Sequence, residues 1–139
     1  MSPFLFADAI INNRPIKVFN LGDMLRDFTY IDDIVEGVIR VLDKPPEKPA
    51  MPNTSTSAPY RLFNIGNNQP EKLMDFIDFL ENAIGKTAQK EFLPMQAGDV
   101  KATFADTSAL GDWVGFKPNT PLKEGVGKFV KWYRQYYVV

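Results

Sequence analysis

The sequence predicts one α/β domain, and three observations predict it. Short segments rich in strand-forming residues alternate with runs whose apolar residues recur at helical spacing. Tyr60-Arg-Leu-Phe-Asn-Ile-Gly66 runs through a Gly-Asn-Asn turn directly into an amphipathic helix, which is a strand, turn and helix unit. A chain of 139 residues, 45% apolar and 24% charged, is long enough to bury a single hydrophobic core.

The elements follow in order. Phe4, Leu5, Ala7, Ile10 and Ile11 mark one face of a helix over 3–11, which Asn12-Asn13 and Arg14-Pro15 stop. Ile16 to Phe19 reads as a strand ending in a turn around Asn20-Leu-Gly22, and Arg26 to Tyr30 as a second short strand. A helix near 32–43 carries Ile34, Val35, Val38, Ile39, Val41 and Leu42 on its apolar positions, with Asp32 and Asp33 in the first turn. Capping and the helix dipole account for those two carboxylates. Residues 44–60 hold five prolines and predict a long exposed loop, more plainly a connector than a binding loop.

Tyr60 to Ile65 predicts a strand. The next helix has Pro70 at its first position, Leu73, Ile77, Leu80 and Ile84 along one face, and Gly85 as a left-handed cap. Glu91 to Met95 predicts a short strand confined to an edge or strand end by Pro94. Lys101 to Ala105 reads as extended, Asp106 or Thr107 caps a short helix through Trp113, and Gly115 stops it. The final helix has Thr120 as cap, Pro121 at its first position, and Leu122, Val126, Phe129, Val130, Tyr133 and Tyr137 as its apolar stripe. Gly125 and Gly127 within it suggest a close packing contact.

Composition narrows the chemistry. Sixteen basic and seventeen acidic residues give a net charge of −1, so bulk charge makes no case for nucleic acid or an anionic membrane. With no cysteine and no histidine, the chain has no disulfide, no thiol nucleophile, no Cys/His zinc site and no imidazole base. No signal-like segment or long apolar run is present, which favours the cytoplasm. Gly125-Val-Gly127 lies within a helical pattern and is no phosphate loop. The amides of Gly66-Asn-Asn could meet an anion, although a plain strand-to-helix turn suffices. A hydrolase built on Asp32, Asp33, Asp106 or Asp112 is the weaker enzymatic reading, because capping and solvation explain these residues. Arg26 is the best anion-binding candidate, a planar fork between a glycine-containing turn and an aromatic segment.

Six ordered blocks then carry a resemblance. They are Phe4 to Ile11; Pro15-Ile-Lys-Val-Phe-Asn-Leu-Gly-Asp-Met24; Arg26-Asp-Phe-Thr-Tyr-Ile-Asp-Asp33; Phe63-Asn-Ile-Gly-Asn-Asn-Gln-Pro70; Pro94-Met-Gln-Ala-Gly-Asp-Val100 with Ala105-Asp-Thr-Ser108; and Gly115-Phe-Lys-Pro-Asn-Thr-Pro-Leu122 with Trp132-Tyr133. Together they resemble the C-terminal, substrate-binding part of NAD-dependent sugar-nucleotide epimerases and dehydratases of the extended short-chain dehydrogenase/reductase family. The UDP-glucuronate 4-epimerases are the nearest subgroup.

The resemblance implies a C-terminal part of a Rossmann-type α/β fold, mostly the small substrate-binding domain with a few elements that would complete a parallel sheet. It implies a UDP-sugar as ligand, with Val18 and Phe19 at the uracil, Arg26 at the diphosphate, and Gln96 and Asp99 at the ribose and diphosphate. Related UDP-hexose 4-epimerases tend to have arginine where Gln96 stands, so neutralisation would fall more heavily on Arg26. The family's glycine-rich nucleotide-binding turn and Tyr-x-x-x-Lys pair are missing. Tyr30, Tyr60 and Tyr133 are followed four residues later by Ile34, Asn64 and Tyr137. NAD therefore belongs to the full-length family, and tight NAD binding and turnover are not expected of this chain.

These absences lead us to read residues 1–139 as a partial epimerase whose dinucleotide-binding domain would precede Met1. The helix 32–43 and the segment 60–65 should then expose apolar faces, favouring self-association or pairing with a separately encoded N-terminal half. The chain would act as part of an epimerase, as a non-catalytic interaction module, or persist as a remnant without function.

Overall fold

A computed structural model describes residues 3–47 and 59–139. Most of the proline-rich 44–60 segment lies outside these residues. The elements in chain order are α1 (Pro3–Ile11), β1 (Ile16–Val18), a 3-10 turn (Phe19–Gly22), β2 (Leu25–Arg26), α2 (Ile31–Leu42), β3 (Glu71–Lys72), α3 (Leu73–Ile84), β4 (Lys90–Phe92), α4 (Ser108–Val114) and α5 (Leu122–Tyr137). Two small sheets hold the strands. β1 runs parallel to β4, with Ile16 opposite Lys90 and Val18 opposite Phe92. β2 pairs antiparallel with β3, Arg26 opposite Glu71, and Leu25 makes an isolated parallel bridge to Ala102. No helix among the described residues is long and apolar enough to cross a membrane.

The core lies between α1, α3 and α5 and the inner face of β1. Ala7 and Ile10 of α1 meet Phe76, Ile77, Leu80 and Ile84 of α3 and Leu122, Val126, Val130 and Tyr133 of α5. Each set has the three-to-four-residue spacing of one helix face, and burying those faces together drives the assembly. Ile16 and Val18 add the buried side of β1, while Lys17 between them points outward, as alternation in a strand requires. Gly125 lies against the Tyr30 ring, where a Cβ would come within 3.2 Å of Cδ2, so the predicted packing contact is present there, whereas a Cβ on Gly127 would meet nothing within 4 Å among the described residues.

Several boundaries differ from the sequence expectation. α3 begins at Leu73 rather than Pro70, because Glu71 and Lys72 pair with β2 and the Leu73 amide donates to the Met24 carbonyl at 2.9 Å. The predicted strand over 26–30 shrinks to Leu25–Arg26, and the one over 91–95 becomes Lys90–Phe92. α3 does end at Gly85 in the left-handed conformation, at φ 74°. α4 starts beside Asp106, which accepts from both the hydroxyl and the amide of Ser108, and these bonds hold its carboxyl below the usual value.

The largest difference is at 60–66, which forms no strand. A strand requires a neighbour hydrogen-bonded through its backbone, and among the described residues none pairs with this segment in that way, while Leu62 is 88% exposed. α2 shares this peripheral position. None of its residues joins the main core, and Ile31, Val35, Val38, Ile39 and Leu42 are exposed, Leu42 at 75%. The expected apolar exposure of this helix is therefore present. Asp33 takes a role other than capping its own helix: its Oδ2 accepts from the Asn119 and Thr120 amides at 3.2 and 2.9 Å, tying α2 to the entrance of α5. Thr120 thus donates its amide to Asp33, and α5 opens at Leu122 after Pro121 without a side-chain cap.

Candidate functional site

A cavity of about 580 Å³ opens between α1, the outward side of β1, the turn that follows and the 96–99 loop. The route of the chain creates it. After β1 the backbone turns through Asn20 and Leu21, both left-handed at φ 50° and 52°, and then Gly22 at φ 85°. Left-handed residues other than glycine are sterically costly, and two in succession reverse the strand within a few residues. The Asn20 side-chain amide supports the turn by donating to the Asp23 carbonyl at 2.7 Å. Phe19 is thereby brought to the cavity wall beside Arg26 of β2.

Of the five residues singled out from sequence, Phe19, Arg26, Gln96 and Asp99 line this one cavity. Val18 does not. Its side chain is fully buried in the core, and its carbonyl accepts from the Leu93 amide at 2.9 Å. Any contact from Val18 to a ligand is therefore left to its remaining main-chain atoms.

Arg26 is firmly held. Its Nη1 donates to the Leu25 carbonyl at 2.8 Å and the Lys101 carbonyl at 3.3 Å, and its Nη2 to Asp99 Oδ1 at 2.9 Å. With its side chain only 15% exposed, the guanidinium is fixed in direction yet reachable from the cavity. Asp99 also accepts from the Val100 amide, which orients its carboxylate, while Gln96 is exposed on the same loop. Arg14 forms a second ion pair in this cavity with Asp8, and Lys17 projects into it from β1. Sequence reading did not single out these three residues, whose only signal was the outward phase of Lys17 in a short strand.

Asp27, next to Arg26, organises the surroundings. Its Oδ2 accepts from the Asn68 and Ala105 amides, both at 3.0 Å, and its Oδ1 from the Gln69 amide at 3.4 Å. The Gly66-Asn-Asn turn does bring amides to an anion, and the anion is this internal carboxylate. Gly66 permits the approach: a Cβ there would lie 2.6 Å from the Ala105 Cβ and 3.1 Å from Asp27 Oδ2. Thr29 extends the same arrangement by accepting from the Asn67 amide at 3.2 Å. A separate cavity of about 230 Å³, between α1, α3, α5 and residues 28–31, is lined by no charged side chain.

Known proteins resemble this chain. Residues 3–66 match the NAD dependent epimerase/dehydratase family. The chain is 47% identical to protein CapI of Staphylococcus aureus and 46% identical to a probable UDP-glucuronate 4-epimerase of Rhizobium meliloti, in each case over 99% of its length. Over residues 3–66 the chain resembles the NAD dependent epimerase/dehydratase family. It spans 43% and 42% of those two relatives, matching their C-terminal portion. Among solved structures, the chain superimposes on the UDP-glucuronic acid 4-epimerase from Bacillus cereus in complex with UDP-glucuronic acid and NAD, with a TM-score of 0.76 and 29% identity. That match covers 95% of this chain and 39% of the other. The UDP-glucose 4-epimerase of Thermotoga maritima shares the fold, with a TM-score of 0.78 at 21% identity.

The chain resembles a family that is NAD-dependent. No glycine-rich turn opens any of its helices, and no tyrosine precedes a lysine by four positions. The cavity brings together the held guanidinium of Arg26, an aromatic wall from Phe6, Phe19 and Phe28, and polar groups on the 96–99 loop.

Proposed function

We propose that this chain forms the part of an NAD-dependent UDP-sugar 4-epimerase that holds the substrate's nucleotide, with UDP-glucuronate as the substrate and UDP-galacturonate as the product. The observation that carries the reading is the convergence of Phe19, Arg26, Gln96 and Asp99 on one cavity. An aromatic wall suits a flat base, and a held guanidinium suits a diphosphate. The complete enzyme would oxidise C4 of the sugar, let the ketone intermediate turn, and return the hydride to its other face. This chain contributes substrate binding to that cycle and no redox step. The cytoplasm is the compartment this reading takes.

Titration of the purified chain with UDP-glucuronate, followed by calorimetry, should give saturable binding. Added NAD should yield no UDP-galacturonate by chromatography. Absence of binding would overturn the site, and turnover would overturn the division of labour.

A second reading is favoured by the exposed apolar positions of α2 and by Leu62. Here the chain is an interaction module that pairs with a separately encoded N-terminal half, or with itself, across that surface. Co-expression with the preceding part of the Staphylococcus aureus relative should give a 1:1 complex by light scattering. Substituting Val38→Glu on α2 should abolish it. A complex indifferent to that change would place the contact elsewhere.

A further inference from the structure

The charges around the 580 Å³ cavity are unevenly matched. Three cations, Arg14, Lys17 and Arg26, and two carboxylates, Asp8 and Asp99, line it. Arg14 is paired with Asp8, and Arg26 with Asp99 at 2.9 Å. Lys17 has no ion-pair partner among the described residues, and it is exposed in the outward phase of β1. Its neighbours on the strand, Ile16 and Val18, are buried, so the backbone that carries the ammonium is fixed by the core. On the loop opposite, Gln96 donates hydrogen bonds without charge. A diphosphate carries at least two negative charges, and the only cation firmly aimed into the cavity, Arg26, already has its charge offset by Asp99.

We propose that Lys17 is an additional ligand-binding residue, supplying the unpaired positive charge that neutralises the diphosphate of the nucleotide sugar in this cavity. The inference rests on the reading of the cavity as a UDP-sugar site. Lys17 acts as a mobile point charge, whereas Arg26 supplies fixed direction. Its contribution is therefore electrostatic, sensitive to salt, and retained by another cation.

Calorimetric titration with UDP of the wild-type chain and of Lys17→Gln, Lys17→Arg and Arg26→Ala tests it, with circular dichroism and melting to verify folding. Lys17→Gln removes the charge while keeping a polar side chain and should weaken UDP binding about three- to tenfold, as expected for an exposed charge-assisted contact. Lys17→Arg should bind nearly as the wild type does, and raised salt should shrink the difference between wild type and Lys17→Gln. If UDP binds the wild type and Arg26→Ala weakens it while Lys17→Gln does not, the role of Lys17 is overturned and the site stands. If UDP fails to bind the wild type, or Arg26→Ala binds equally well, the reading of the site is overturned and this inference falls with it.

Discussion

Replacing Arg26 with alanine is expected to weaken UDP binding by about ten- to a hundredfold, the loss that follows from removing one or two hydrogen bonds to a charged group. The guanidinium is anchored on one nitrogen by the Leu25 and Lys101 carbonyls and directed by Asp99 on the other. Anchoring lowers the entropy that a ligand must remove on binding, so the effect should lie well above that of an exposed surface cation. Arg26→Lys keeps the charge but cannot satisfy two carbonyls and an anion with one planar fork. It should recover only a fraction of the lost affinity. Calorimetry on both variants, with circular dichroism to confirm the fold, checks this. Full affinity in Arg26→Ala would place the diphosphate elsewhere.

Phe76→Ala should produce the largest loss of stability, about 3–5 kcal/mol, the usual range for deleting a buried aromatic ring. Phe76 is 2% exposed in the first turn of α3, stacks on Phe28 with ring centroids 4.6 Å apart, and lies 6.3 Å from Phe6. It also lines the apolar cavity, so removing the ring enlarges a space already present. Since small domains are held by roughly 5–15 kcal/mol, the variant should melt at least roughly 10 °C lower or lose its cooperative transition. Phe76→Leu should lose much less. Phe28 is two residues beyond Arg26, so the same ring supports the binding segment, and UDP affinity in Phe76→Ala should fall with the fold. Urea unfolding that showed a loss below about 1 kcal/mol would contradict the assignment of Phe76 to the core.

The helices were legible because their information is local. The apolar periods of α1, α3 and α5, and the left-handed cap at Gly85, follow from side-chain spacing and backbone preference within a few residues. Strand extents were less legible because a strand is defined by its neighbour. Tyr60 to Ile65 has the composition of a strand but no pairing partner among the described residues, whereas Glu71 and Lys72 were assigned to a helix and instead pair with β2. The carboxylates illustrate the same limit. Asp33 and Asp27 accept amides far away in the chain, at 119–120 and at 68, 69 and 105, and local patterns carry no sign of those bonds.

By itself the sequence determined the α/β class, the amphipathic helices, the candidacy of Arg26 through its resemblance to sugar-nucleotide epimerases, and the lack of a glycine-rich turn and Tyr-x-x-x-Lys pair in these 139 residues. Only the tertiary structure decided that Phe19, Arg26, Gln96 and Asp99 share one cavity while the Val18 side chain is turned into the core, and that Lys17 alone among the cavity's cations has no partner among the described residues. The physical reason is that residue type and periodicity act along the chain. Ion pairing, burial and cavity formation depend instead on which distant segments the folded core brings together.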